Sequence, residues 1–129
     1  MLDHIGLSVS DLARSRAFYD AVMPTIDAAC AMVVTAEETG GTYEGAGYGR
    51  AGKPSFWIGT GGRTKGSLHI AFAVESRAQV DAFYKVAMAA GATDNGAPGL
   101  RPHYHPNYYG AFVLDPDGHN IEAVCHKPE

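Results

Sequence analysis

Two histidines and one carboxylate in this sequence have the types and settings of metal ligands. His4 opens the run His4-Ile5-Gly6-Leu7-Ser8-Val9, and His69 opens the similar run His69-Ile70-Ala71-Phe72-Ala73-Val74, 65 residues further on. Both runs alternate in period two, as half-buried strands do, and each histidine shares its face with small residues only, which leaves room beside the imidazole. Glu122 lies in Asn120-Ile121-Glu122-Ala123-Val124-Cys125, where Ile121, Ala123 and Cys125 share one strand face and Glu122 takes the other. An ionised carboxylate among apolar neighbours is expensive unless it is paired or bound to a cation. Two neutral imidazoles and a carboxylate, with positions left for substrate or water, suit Fe(II), Mn(II), Ni(II) or Zn(II). Taken singly, a strand histidine is more often a hydrogen-bonded structural residue and Glu122 reads as an edge-strand surface residue. The matched positions of the histidines favour the metal.

That match belongs to an internal repeat. Residues 4–23 laid over 69–88 share eight of twenty residues without a gap, among them Ala17-Phe18-Tyr19 on Ala82-Phe83-Tyr84, where composition alone would give about one or two. Each copy predicts a strand, then a helix, then about three strands. The first helix has Ser10 or Asp11 as N-cap and should stop near Pro24; the second has Ser76 as N-cap and should stop near Gly91. Later strands are expected at 31–36, 42–49 and 55–59 in the first copy, and at 110–114 and 120–126 in the second. The expected organisation is a single domain over 1–129, made of a first module at 1–58, a glycine-rich linker at 59–66 and a second module at 67–129. A pseudo-twofold arrangement of the modules would turn both histidines toward one cavity. The linker also makes exchange of modules between chains cheap, so a homodimer is expected.

Composition narrows the function. With 129 residues, 46% of them apolar, the chain can build one core without structural metal. Its net charge of −4 and lack of a basic run argue against nucleic acid. No segment is long and apolar enough to span a membrane, and Met1–Ser10 lacks the pattern of a signal peptide, so cytoplasmic residence is expected. Cys30 and Cys125 read as small buried hydrophobes rather than a disulfide framework.

These segments resemble the vicinal oxygen chelate superfamily, which holds glyoxalase I, fosfomycin-resistance thiol transferases, methylmalonyl-CoA epimerase, extradiol dioxygenases and bleomycin-resistance proteins. The resemblance rests on Asp3-His4-Ile5-Gly6-Leu7-Ser8-Val9-Ser10-Asp11, on the helix with Phe18-Tyr19, on the second start at His69 and on Phe112-Val113-Leu114-Asp115-Pro116-Asp117-Gly118-His119-Asn120-Ile121-Glu122. It implies an α+β fold of two βαβββ modules whose curled mixed sheets form a cavity. It also implies His4, His69 and Glu122 as ligands of a divalent ion, with Glu122 available as a base. Asp115-Pro116-Asp117-Gly118 has the residues of a tight turn that would position Glu122. Glyoxalase I carries a fourth ligand, a glutamate, on the strand equivalent in the first module; counting back 65 from Glu122 lands here on Trp57, and Glu44 lies one strand earlier.

The stretch Arg101-Pro102-His103-Tyr104-His105-Pro106-Asn107-Tyr108-Tyr109 is the other concentrated feature. Tyr104, Tyr108, Tyr109 and Trp57 are expected to line the substrate pocket, with Arg101 available for a carboxylate. A packed surface loop is the bland account of the same stretch, and His103 and His105 could form a separate metal pair. His119 and His126 carry no expectation. The reading is a metal-dependent enzyme acting on a small molecule with vicinal oxygens, whether lyase, isomerase, thiol transferase or dioxygenase. The rival is a metal-free protein that sequesters a small molecule, as in the bleomycin-resistance branch.

Overall fold

Asp11 stops the first strand from running on. Its backbone is extended while its side chain accepts the amide of Arg14 at 3.0 Å, which caps helix α1 (Leu12–Val22). Ser76 does the same for α2 (Arg77–Ala89), accepting from the amide of Gln79 at 3.2 Å. Pro24 falls in a 3-10 turn, Met23–Ile26, that closes with Asp27 in the left-handed region, so the α-helix ends where proline removes a donor. The computed structural model describes residues 1–62 and 64–129.

The chain divides into two units, Met1–Gly66 and Ser67–Glu129. Position 63 of the expected linker lies outside the described residues. Gly59 ends a strand of the first unit, and the amide of Thr60 donates to the carbonyl of Glu44 at 2.9 Å.

In the first unit α1 is accompanied by β1 (Ile5–Ser8), β2 (Ala29–Val34), β3 (Gly45–Arg50) and β4 (Lys53–Gly59), in the sheet order β1-β4-β3-β2. The second unit repeats this with β5 (His69–Ala73), β6 (Thr93–Leu100), β7 (Tyr109–Leu114) and β8 (Asn120–Cys125), in the order β5-β8-β7-β6. Both sheets are mixed: the strand before the helix pairs parallel with the last strand, and the other pairs are antiparallel. The fold is α+β.

Each helix buries one stripe on one face of its own sheet. Phe18, Tyr19 and Val22 pack with Leu7, Ala46, Tyr48, Phe56 and Ile58, and the rings of Tyr19 and Phe56 lie 5.1 Å apart. In the second unit Val80, Phe83 and Ala87 cover Ala111, Val113, Ile121, Ala123 and Cys125, all buried. Truncating Phe83 to alanine would cost about 3–5 kcal/mol.

Two expectations need correction. Cys125 is buried, but Cys30 is exposed, because β2 lies at the sheet edge and all its residues but the last, Val34, are exposed. The strand β6 had no named counterpart in the sequence, and its Asn, Gly and Pro content explains why.

Candidate metal centre

The register of the second sheet assembles one face. Glu122 pairs across with Ala71 on one side and Phe112 on the other, so His69, Ala71, Gly110, Phe112 and Glu122 stand on the face away from α2. Glu122 is fully buried, and its two oxygens have separate partners. His69 Nε2 lies 2.8 Å from Oε1, and Tyr108 Oη donates a short hydrogen bond to Oε2. The His69 side chain keeps 52% of its exposure, so the pair reaches the surface through the imidazole. Burial first, and then the Glu122 carboxylate beside it, push the Tyr108 phenol well above the usual tyrosine range, which keeps it protonated and donating.

Gly110 makes this arrangement possible. A Cβ there would stand 3.2 Å from Glu122 Oε2 and 3.1 Å from a Tyr108 ring carbon, so a side chain would press on both partners.

His119 supplies a support that the sequence did not suggest. It is buried, its Nδ1 accepts the Leu68 amide at 3.0 Å, and the Asn120 amide donates to the Leu68 carbonyl at 2.8 Å. The turn before it is held by Asp115 Oδ1, which accepts the amides of Asp117 and His119 at 2.9 Å. The Asp115–His119 turn therefore fixes the residue just before His69 as well as the strand that carries Glu122. A histidine closing a tight turn ahead of a ligand-bearing strand was the available signal.

The aromatic stretch divides. Tyr104 stacks edge-on against Tyr108 at 5.1 Å and is itself 62% exposed. Arg101 lies over Phe112, 5.3 Å from the ring centre, and that ring is 6.1 Å from the His69 ring. Tyr109 is not brought to this face: it pairs with Cys125 on the α2 side, donates to Asp81 at 2.7 Å and carries Arg77 at 5.2 Å from its ring. Adjacent residues entering a strand point to opposite faces, so Tyr108 and Tyr109 could not both line one pocket. His103 stacks on Tyr104, and His105 accepts the Asn107 amide through Nδ1, so the structure gives these two no shared ligand geometry.

In the first unit, His4 lies just before β1, is 59% exposed and meets Asp3 at 2.7 Å. The register opposes Trp57 to both Gly6 and Gly47, so Trp57 holds the place that Glu122 holds in the second unit, and Glu44 does not take it. A cavity of about 280 Å³ in this unit lies on the α1 side, where Arg16, Asp20, Cys30 and Tyr48 line it; the Tyr48 hydroxyl donates to Asp20 at 2.7 Å.

The donor set fits a divalent cation in part. An imidazole nitrogen and a carboxylate oxygen bound to one ion at right angles stand about 3 Å apart, close to the spacing of His69 and Glu122. Among the described residues no cluster of three or more His, Cys, Asp or Glu side chains is close enough to hold an ion. Also among them, no helix is long and apolar enough to cross a membrane.

Comparisons with known proteins agree with this fold. The model of the Glyoxalase/Bleomycin resistance protein/Dioxygenase superfamily matches residues 1–123. A glyoxalase/bleomycin resistance protein from Albidiferax ferrireducens T118 is 29% identical, with 98% of both chains covered and a TM-score of 0.71. A glyoxylase/bleomycin resistance protein/dioxygenase domain from Frankia sp. EAN1pec is 21% identical over 98% of both chains, with a TM-score of 0.72. Glyoxalase I from Zea mays is 19% identical, covering 97% of this chain but 46% of its own, with a TM-score of 0.71. The last two likenesses are of fold. No curated protein matches the chain.

Proposed function

Because this chain belongs to the glyoxalase/bleomycin resistance protein/dioxygenase superfamily, we propose that it is a metal-dependent enzyme acting on a small molecule with two neighbouring oxygens. The observation that carries this reading is the fully buried Glu122 carboxylate against His69 Nε2 at 2.8 Å, on the strand face away from α2. His69 and Glu122 would hold the ion, with His4 as the third donor. A bound Fe, Mn, Ni or Zn ion would supply Lewis acidity to the substrate oxygens. The chain's own residues do the rest. Tyr108 fixes Oε2 of Glu122, so that Oε1 faces His69. Glu122 is also the carboxylate nearest to accept a proton if a ligand displaces it from that pairing. A homodimer belongs to the same reading, and light scattering in solution tests it.

The test is metal content after anaerobic loading with Fe, Mn, Ni and Zn in turn, for the native protein and for His4→Ala, His69→Ala and Glu122→Ala, each checked for folding by circular dichroism. About one ion per chain, lost in all three variants, supports the ligand set and directs substrate screening to vicinal oxygens. No stoichiometric metal under any loading overturns it.

A second reading, metal-free sequestration of a planar molecule, draws on the first unit. There the rings of Tyr43 and Trp57 lie over glycines: a Cβ at Gly47 would come within 2.8 Å of the indole, and Cβ atoms at Gly45 and Gly59 would run into the Tyr43 ring. Trp57 is the single tryptophan, so quenching of its fluorescence by a ligand in metal-free protein would favour this alternative.

A further inference from the structure

Arg101 is held in an unusual way for a surface arginine. Its guanidinium lies across β6 where that strand carries glycine: a Cβ at Gly99 would stand 3.1 Å from Nη1, and one at Gly96 would stand 3.2 Å from Nη2. The pairing of β6 with β7 shifts register on both sides of Gly96, and this irregular stretch lets the guanidinium settle on the backbone. Nη2 donates to the Ala97 carbonyl at 2.8 Å, and the Phe112 ring supports the group from below at 5.3 Å. The Arg101 amide is itself tied to the Tyr108 carbonyl at 2.7 Å.

None of these contacts neutralises the charge. A carbonyl and an aromatic face orient a guanidinium and leave most of its five N–H donors unused. Arg16 and Arg77 are paired with Asp20 and Glu129, but among the described residues no carboxylate pairs with Arg101. Phe112 connects the two features, since it stands opposite Glu122 across the sheet and beside the His69 ring.

We propose that Arg101 binds an oxyanionic group, carboxylate or phosphoryl, of the substrate whose neighbouring oxygens are presented to His69 and Glu122. The substrate class is then a small anion with a chelating end and a separate charged end, lying along Phe112. A planar guanidinium edge matches either oxyanion with two parallel hydrogen bonds, and a neutral substrate would leave it unmatched. The proposal rests on the metal reading for the chelating end, while the anion site itself does not.

The test uses probes of known chemistry. Protein loaded with Ni(II) is titrated by calorimetry with acetohydroxamate, with the monohydroxamates of succinate and glutarate, and with 3-phosphonopropionohydroxamate. The same series is run on Arg101→Gln, which keeps an amide to reach Ala97, and on Arg101→Lys. The expected result is that charged probes bind about tenfold or more tighter than acetohydroxamate. Arg101→Gln abolishes that advantage and leaves acetohydroxamate unchanged, and Arg101→Lys restores only part of it. Preference for the carboxylated or the phosphonylated probe identifies the anion. Equal affinities for charged and neutral probes in the native protein overturn the proposal. Glutarate and inorganic phosphate are also titrated into metal-free protein while the Arg101 Nε–H resonance is followed by NMR. A saturable shift there, with no hydroxamate binding, keeps the anion site and discards the metal reading; no shift and no preference discards the anion site.

Discussion

On the face of the first sheet away from α1, Trp57 lies over Gly47; at the corresponding place in the second sheet, Glu122 stands beside Phe112. The strand pairings beneath are the same, with Gly6 opposite Trp57 and Ala71 opposite Glu122. Tyr43 and Tyr108 also correspond, yet they do different things. Tyr43 lies where side chains at Gly45 and Gly59 would be, whereas Val124 fills the place of Gly59 in the second unit, and Tyr108 turns its hydroxyl to Glu122. Gly59 leaves room for the Tyr43 ring, whereas Val124 occupies the matching place in the second unit. Duplication supplies the frame, and a handful of floor positions decide the chemistry of each half.

The strongest way to break this contrast is to remove the charge that only one half has. Glu122→Gln keeps the shape of the side chain and loses the carboxylate, and metal affinity should fall by about a hundredfold or more, beyond what loss of an outer partner causes. Titration with Ni(II) or Zn(II) measures it. Unchanged affinity would mean that Glu122 is a structural acid paired with His69.

The next test sets the two tyrosines against each other. Tyr108→Phe removes the hydroxyl bonded to Oε2 of Glu122, and a lost outer partner lowers metal affinity about 10–100-fold. Tyr43→Phe should leave affinity as it was. Equal effects from both would show that the Tyr108 hydroxyl does not act through Glu122.

Much of the frame was legible because packing repeats itself in sequence. Phe18 and Phe83 both enter their cores, and the helix caps at Asp11 and Ser76 use residues whose short side chains compete for backbone amides. His69 was legible through its match to His4 and Glu122 through its apolar neighbours in the strand, while their pairing is a matter of register. What escaped depended on long-range register. Nothing local told that Tyr109 would join β7 and face Asp81, nor that His119 would clasp Leu68, 51 positions away in sequence. Strand β6 escaped because Gly96, Pro98 and Gly99 suit a cradle for Arg101 better than they suit a strand.

The floor itself can be tested without any ligand. Gly47→Ala adds a methyl 2.8 Å from the Trp57 indole and from Pro54 Cβ, so the ring or the hairpin must shift. Overpacking of this kind costs about 1–3 kcal/mol, read as a lower thermal midpoint with altered tryptophan fluorescence. Phe112→Ala, at the matching position, removes a large side chain instead of adding a methyl, and its effect is read from the thermal midpoint.

The smallest expected effect concerns how each half ties its helix to its sheet. The first unit uses Tyr48, whose hydroxyl donates to Asp20 of α1; the second has Val113 at that position and uses Tyr109, which donates to Asp81 of α2. Burial, and then the neighbouring Asp20, hold the Tyr48 phenol well above the usual range. The Tyr109 phenol is raised chiefly by its bond to Asp81. A phenol whose folded value exceeds its unfolded value of about 10 contributes stability that is whole below that pH and is lost as pH rises through the folded value. Tyr48→Phe should therefore cost about 1 kcal/mol near neutrality and flatten the fall of the thermal midpoint above about pH 10. Tyr109→Phe, at a more exposed bond, should flatten it less. Parallel curves for native protein and Tyr48→Phe would mean that the Tyr48 phenol ionises as readily in the folded as in the unfolded protein.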